Sequence, residues 1–229
     1  MDWRTRIWKL HCRLPGYHAR YQGLAVSRFF LPGWPEWPRV LEYTMVQPSR
    51  LKALERFATT CTAPGVFMEC GVARGGTALL LGLIAAKRQR DLWLFDTFEG
   101  LPPPTENDPD YDRAVLDTGT CRGELSEVQA LLTEYGVWDR TRAVKGLFQN
   151  TLPETSIPSI AFLHLDGDWY DSTMTCLTHL WPHVSSGGIV QFDDYGAWQG
   201  CRKAVDEFFG GINLPTQRID HHGVWVQKP

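Results

Sequence analysis

Val66-Phe67-Met68-Glu69-Cys70-Gly71-Val72-Ala73-Arg74-Gly75-Gly76-Thr77 is the stretch on which the fold turns. It is a short apolar run, an acid, a glycine-spaced turn, and then the start of a mostly apolar segment, 77–88, that closes on basic residues. The run has the length of a buried strand and the segment that of a helix with cations in its last turn. Glycines between strand and helix let the backbone turn sharply and come close to a ligand. The spacing is not the G-x-G-x-x-G of a dinucleotide site. An acid just before the first glycine opposes a pyrophosphate and suits a cationic amino group.

The alternation continues outward from this unit. Residues 92–95 read as a second strand ending at Asp96, 124–135 as a helix, 141–144 as a weaker third strand and 160–165 as a fourth. A helix over 172–181, a fifth strand over 188–192 and a helix over 201–209 follow, while 49–60 forms a helix upstream, with Leu51, Leu54, Phe57 and Ala58 at helical spacing. Arg218-Ile219 and Val224-Trp225-Val226 flank a His221-His222-Gly223 turn as an antiparallel hairpin. The expected class is α/β: a doubly wound, mostly parallel seven-stranded sheet with a C-terminal antiparallel hairpin. Residues 15–41 hold Pro15, Pro32, Pro35 and Pro38 with Gly16, Gly23 and Gly33, a composition that blocks regular structure. Residues 1–42 are therefore expected to be an irregular arm or lid, and 43–229 the one domain. Within the arm, 1–14 carries Arg4, Arg6, Lys9 and Arg13 among Trp3, Ile7, Trp8 and Leu10, the pattern of a short amphipathic helix packing on the domain or on a second subunit, with membrane-surface attachment as the lesser alternative.

Bulk properties bound the partners. A chain of 229 residues, 43% apolar and 21% charged, suits a single α/β domain. A formal charge of -3 supplies no global basic field, which argues against a nucleic-acid backbone and for a small ligand. The longest apolar stretch, 78–86, is too short to span a bilayer, and Gly82 interrupts it, so membrane contact is not expected. Six scattered cysteines without a C-x-x-C pair read as thiols of a reducing compartment, and the expected location is cytoplasmic.

In doubly wound sheets ligands bind beyond the carboxyl ends of the strands, so the polar residues there carry the chemistry. Asp96 lies about 25 residues after Gly71, close to where an acid reaches the ribose hydroxyls of a bound nucleoside. The fourth strand ends Asp166-Gly167-Asp168-Trp169-Tyr170-Asp171 and the fifth Asp193-Asp194-Tyr195-Gly196. Acids gathered on one sheet edge without nearby basic residues repel each other unless a cation sits among them. All-oxygen ligation favours Mg²⁺, with Mn²⁺ or Ca²⁺ as alternatives. Adjacent Asp193 and Asp194 would point to opposite faces of a regular strand, so both reach one ion only if the strand ends or bends there.

These runs, with Phe95-Asp96-Thr97-Phe98-Glu99-Gly100-Leu101-Pro102, together resemble the macrocin O-methyltransferase family over about residues 43–228. Weaker echoes are Tyr43-Thr44-Met45, Gly146-Leu147-Phe148-Gln149-Asn150-Thr151-Leu152-Pro153 and Ile219-Asp220-His221-His222-Gly223-Val224. The resemblance implies a Rossmann-like class I methyltransferase that uses S-adenosylmethionine and Mg²⁺ to methylate sugar hydroxyls on glycosylated natural products, as a homodimer. Carried over by motif, Asp166, Asp193 and Asp194 match metal ligands and Asp168 a general base. Glu69, Gly71 and Asp96 match the cofactor site, with Thr97 and Phe98 beside them, and the matched runs add Met45, Val72, Gly75, Gly146 and Asp166.

An aliphatic hydroxyl is a poor nucleophile at neutral pH, so the protein must orient it against the activated methyl and help remove its proton. A cation binding two adjacent hydroxyls would serve an aromatic diol equally well, which keeps a catechol-type enzyme as the alternative. A non-catalytic cofactor-binding module and a metal-dependent hydrolase are the other readings; the hydrolase leaves Glu69 and Asp96 unexplained. His164, His179, His221 and His222 offer a different base, ranked below Asp168: His164, inside an apolar strand, is expected to be a packing residue, and His221 and His222 to be exposed turn residues. Trp34, Trp37, Trp169 and Trp198, in or near expected loops, are compatible with stacking on a ring.

Overall fold

The computed structural model describes residues 35–229; what was expected of residues 1–34, including the amphipathic helix and Trp34, lies outside it. The helices are α1 Trp37–Tyr43, α2 Pro48–Thr60, α3 Gly76–Lys87, α4 Tyr111–Ala114, α5 Leu125–Glu134, α6 Phe148–Glu154, α7 Tyr170–Leu180 and α8 Gln199–Gly211. The strands are β1 Val66–Cys70, β2 Leu92–Asp96, β3 Thr141–Lys145, β4 Ile160–Leu165, β5 Val184–Phe192, β6 Gln217–Arg218 and β7 Val224–Gln227. They form one seven-stranded sheet in the order β3-β2-β1-β4-β5-β7-β6. The first five are parallel, and β7 runs antiparallel to both β5 and β6.

Strand alternation divides the core into two layers. Phe67, Leu92, Leu94 and Phe162 face α2, α3 and α5, while Met68, Cys70, Leu163, Leu165 and Phe192 face α6, α7 and α8. With both faces covered, β4 is buried along its whole length, which is why it reads as a continuous apolar run.

Three elements depart from expectation. Residues 37–43 form α1 despite Pro38, because proline in the first turn gives up an N–H that has no intrahelical partner. Trp37 and Val40 are buried in the same core as Phe67, so the boundary expected at 42/43 falls inside a helix of the domain. At Gly76 a Cβ would lie 2.4 Å from the Thr44 nitrogen, and only glycine lets α1 and α3 approach this closely. Strand β5 begins at Val184, where Ser185, Ser186, Gly187 and Gly188 conceal its start. Helix α6 holds Pro153, a residue that argues against a helix from sequence alone.

Candidate active site

A cavity of about 240 Å³ opens at the carboxyl ends of the parallel strands. Strand order reverses between β1 and β4, the switch point at which the connections leave a crevice for ligands. Gly71, just beyond β1, lines the cavity with φ +89°, and a Cβ there would lie 1.9 Å from the Asp166 carbonyl oxygen. The β1 turn therefore abuts the β4 turn with no room for a side chain between them.

Asp96 stitches two turns together. Its Oδ2 accepts the Val72 N–H at 2.6 Å and the Ala73 N–H at 3.1 Å, and its Oδ1 accepts the Phe98 N–H at 2.6 Å. Ala73 and Phe98 have positive φ, 46° and 54°, local strain that these bonds help to hold. A carboxylate has about four lone-pair sites, so Asp96 retains capacity for a ligand hydroxyl. Met45 and Thr97 line the cavity with it. Val72, Gly75, Phe98 and Gly146 stand behind the wall: Phe98 is buried, a Cβ on Gly75 would touch Val128, and the Gly146 N–H bonds to the Asp96 carbonyl at 2.9 Å.

Glu69, expected to meet the cofactor directly, lies beneath the cavity rather than on its wall. The register sets Glu69, His164 and Gln191 side by side on β1, β4 and β5. His164 is therefore more than a packing residue. Its Nδ1 donates to Glu69 Oε1 at 3.0 Å, and its Nε2 lies 3.9 Å from Asp193 Oδ1. Burial alone would lower its pKa, but Asp193 and Glu69 outweigh that and raise it to about 9. One imidazolium thus sits between two buried carboxylates. Burial pushes Glu69 up, against the opposing effect of His164, and Oε2 has no hydrogen-bond partner among the described residues.

The four aspartates divide differently from the expectation. Asp166, Asp168 and Asp194 present oxygens within 4.8 Å of one another, whereas Asp193 stands outside that cluster and directs Oδ1 to Arg50 Nε at 2.9 Å. Strand β5 ends at Phe192, so both acids lie in the bend beyond it and both line the cavity, but the buried Arg50 engages Asp193. Asp168, expected as the base, lies in the cluster from a left-handed position, φ 56°, with its N–H on Asp194 Oδ2 at 3.2 Å. Burial, then Asp194, Asp193 and Asp168, holds Asp166 well above the usual carboxylate range; burial and Asp193 likewise raise Asp194. The energy of this crowding is what a cation would relieve.

Arg50 was not identified from sequence, and His222 was named there only as a lesser candidate base. Arg50 of α2 is buried, lines the cavity, pairs with Asp193 and donates from Nη1 to the Asp193 carbonyl oxygen at 3.1 Å. Burial works against its charge, but Asp193, Asp220, Asp194 and Asp166 outweigh it and raise the pKa. The available signal was position: Arg50 shares the apolar helical stripe of Leu54, Phe57 and Ala58, where a lone cation needs a buried partner. His222, expected to be exposed, is half-buried on the cavity wall. Trp198 also lines the cavity; Trp169 is buried behind it, edge-on at 4.7 Å, with Nε1–H donating to the Pro102 carbonyl at 2.7 Å. Trp37 packs in the core.

The strand order and antiparallel last pair define a class I methyltransferase, and solved structures agree. The O-methyltransferase NovP superposes with a TM-score of 0.75 at 32% identity, covering 81% of this chain and 82% of that one. The calicheamicin methyltransferase CalS11 shares the fold, with a TM-score of 0.67 at 20% identity over 92% and 91% of the two chains. Residues 33–228 match the macrocin-O-methyltransferase family. A 4'-O-methyltransferase of Streptomyces olivaceus, named for 8-demethyl-8-(2,3-dimethoxy-alpha-L-rhamnosyl)-tetracenomycin-C, is 34% identical over 90% of this chain and 86% of its own. Demethyldecarbamoylnovobiocin O-methyltransferase of Streptomyces niveus is 33% identical over 84% and 78%. The chain belongs to the macrocin O-methyltransferase family and is an enzyme of that class. Among the described residues no helix is long and apolar enough to cross a membrane.

Proposed function

We propose that the enzyme transfers a methyl group from S-adenosylmethionine to a hydroxyl of a sugar carried by a small molecule, with a divalent cation, Mg²⁺ by preference, beside the reacting oxygen. The observation that carries this reading is the single cavity with Gly71 and Asp96 at one part of its wall and the crowded aspartates at another. The donor set fits a hard cation, being oxygen throughout, with Asp166 and Asp194 held at raised pKa by burial and then by neighbouring acids. The nucleoside side fits as well: Asp96 keeps one lone pair for a ribose hydroxyl, and Gly71 leaves the turn bare.

When bound, the cofactor supplies an activated methyl group and the cation acidifies the acceptor hydroxyl. The residues of this chain do the rest. Asp166 and Asp194 would hold the cation; Asp193, paired with Arg50 outside their cluster, would reach it only through its other oxygen. Asp168 takes the hydroxyl proton, its loop fixed through the Asp194 contact. Glu69, paired with His164 beneath the turn, would bias that end of the cavity towards a cationic amino group only through the charge His164 leaves uncompensated. Fixing the hydroxyl in line with the methyl carbon accounts for the entropic part, up to roughly 7 to 11 kcal/mol in the best intramolecular models.

The relative named for a rhamnosyl compound favours a sugar over a catechol as the acceptor. The test is a methyl-transfer panel of glycosides and catechols with and without Mg²⁺, read by mass spectrometry. Gain of one methyl on a glycoside, lost on chelation, is the expected result. Transfer to catechols alone would replace the sugar reading, and failure of S-adenosylhomocysteine to bind in calorimetry would sink the methyltransferase mechanism. Asp168→Asn retaining near-wild-type kcat with cation and cofactor bound would remove Asp168 as the base. We further propose one domain preceded by an arm, assembled as a homodimer, which sedimentation equilibrium would check.

A further inference from the structure

The His221-His222-Gly223 turn carries more fixed contacts than a surface hairpin needs. Asp220 Oδ1 accepts the N–H of His222 at 2.8 Å and of Gly223 at 2.7 Å, while its Oδ2 accepts the Ser49 hydroxyl. Arg50 Nη1 lies 3.9 Å from Asp220 Oδ1, and a Cβ on Gly223 would lie 2.6 Å from Arg50 Cδ. From the other side, the Gly196 N–H donates to the His222 carbonyl at 2.9 Å, and a Cβ on Gly196 would lie 2.0 Å from the His221 carbonyl oxygen. The turn is thus locked between the start of α2 and the loop that follows Asp193 and Asp194.

This lock places one side chain in the cavity. His222 is the only histidine lining it among the described residues, and its Nδ1 is enclosed without a hydrogen-bond partner among them. The half-buried ring meets the cavity through Nε2, the nitrogen that is not enclosed, which has no partner among the described residues and can be reached by a ligand hydroxyl. Burial and Arg50 lower its pKa, so at neutral pH the ring is uncharged and offers one N–H and one lone pair. A sugar hydroxyl, which both donates and accepts, is the complementary group.

We infer that His222 is an acceptor-binding residue, which hydrogen-bonds a sugar hydroxyl while the aspartates across the same cavity serve the hydroxyl that is methylated. The inference rests on the sugar-methylation reading. It makes the C-terminal hairpin part of the specificity apparatus.

The experiment compares wild type, His222→Ala and His222→Gln on a panel of p-nitrophenyl hexosides and 6-deoxyhexosides. Transfer is read by mass spectrometry, and S-adenosylhomocysteine and Mn²⁺ affinities are measured by calorimetry on the same proteins. The expected result is a fall of about tenfold or more in kcat/KM for the acceptor in His222→Ala, with cofactor and Mn²⁺ affinities within about twofold of wild type. His222→Gln should recover part of the loss. One monodeoxy acceptor should be penalised in wild type and tolerated by His222→Ala, which identifies the hydroxyl. Equal kcat/KM in all three proteins would overturn the inference, as would loss of cofactor and Mn²⁺ affinity in step with the acceptor. Wild type inactive on every glycoside would overturn the sugar reading itself and the inference with it.

Discussion

Asp166→Asn should make the cation-free enzyme more stable while abolishing its response to metal. The oxygens of Asp166, Asp168 and Asp194 lie within 4.8 Å of one another. At an effective dielectric constant of about 20, each ionised pair at that separation costs about 3 kcal/mol. The substitution removes two of the three repulsions, about 6 kcal/mol at that separation if all three acids are ionised. Protonation already relieves part of this, since burial and the neighbouring acids hold Asp166 well above the ordinary range. A net gain of about 1–3 kcal/mol remains, or roughly 3–10 °C in Tm for a chain of this size. Wild type in Mn²⁺ at about 100 times Kd should gain about 2.7 kcal/mol, and the variant nothing. The assay is calorimetric melting in chelator and in Mn²⁺. The pH dependence follows from the sign of the shift. A folded pKa above the unfolded one means that the wild-type native state binds protons more readily, so its stability rises as pH falls through the folded pKa towards about 4, and the advantage of the variant narrows. A metal-free variant melting below wild type, or one that keeps the Mn²⁺ shift, would refute the reasoning.

Arg50→Met removes the nearer cation from the buried carboxylate of Asp193, leaving only His164 at 3.9 Å, and should cost about 3–5 kcal/mol in urea denaturation; a loss below about 1 kcal/mol would show that His164 alone suffices. Gly71→Ala forces a side chain into a position with φ +89° and against the Asp166 carbonyl. It should weaken S-adenosylhomocysteine binding by about tenfold or more in calorimetry, and unchanged affinity would contradict the role given to the turn. The raised pKa of His164 has the opposite consequence to that of the acids. Its stabilisation is complete below about 6.5 and is lost as pH rises through about 9. Wild-type Tm should therefore fall across that window, whereas His164→Gln should lack this component; parallel Tm profiles would show that His164 is uncharged in the fold.

Periodicity and the glycine turn alone determined the class of fold, since the buried strands of a parallel sheet must be apolar runs and the crossover helices must follow them. The same runs placed Asp96, Asp166, Asp168, Asp193 and Asp194 on one edge, because topology puts every parallel strand's end there. Elements whose local composition hides them stayed illegible: α1 behind Pro38, α6 around Pro153, and the start of β5 in Ser185-Ser186-Gly187-Gly188. The division of labour among the acids was decided only by tertiary structure. Arg50 reaches the Asp193 carbonyl across 143 positions of chain, and His164 bridges to Glu69 across 95. His222 enters the cavity only because Asp220 and Gly196 hold its turn. Sequence patterns register which face a residue takes on its own strand or helix; they carry no record of which distant charge that face will meet, and burial makes that meeting decide pKa, pairing and access.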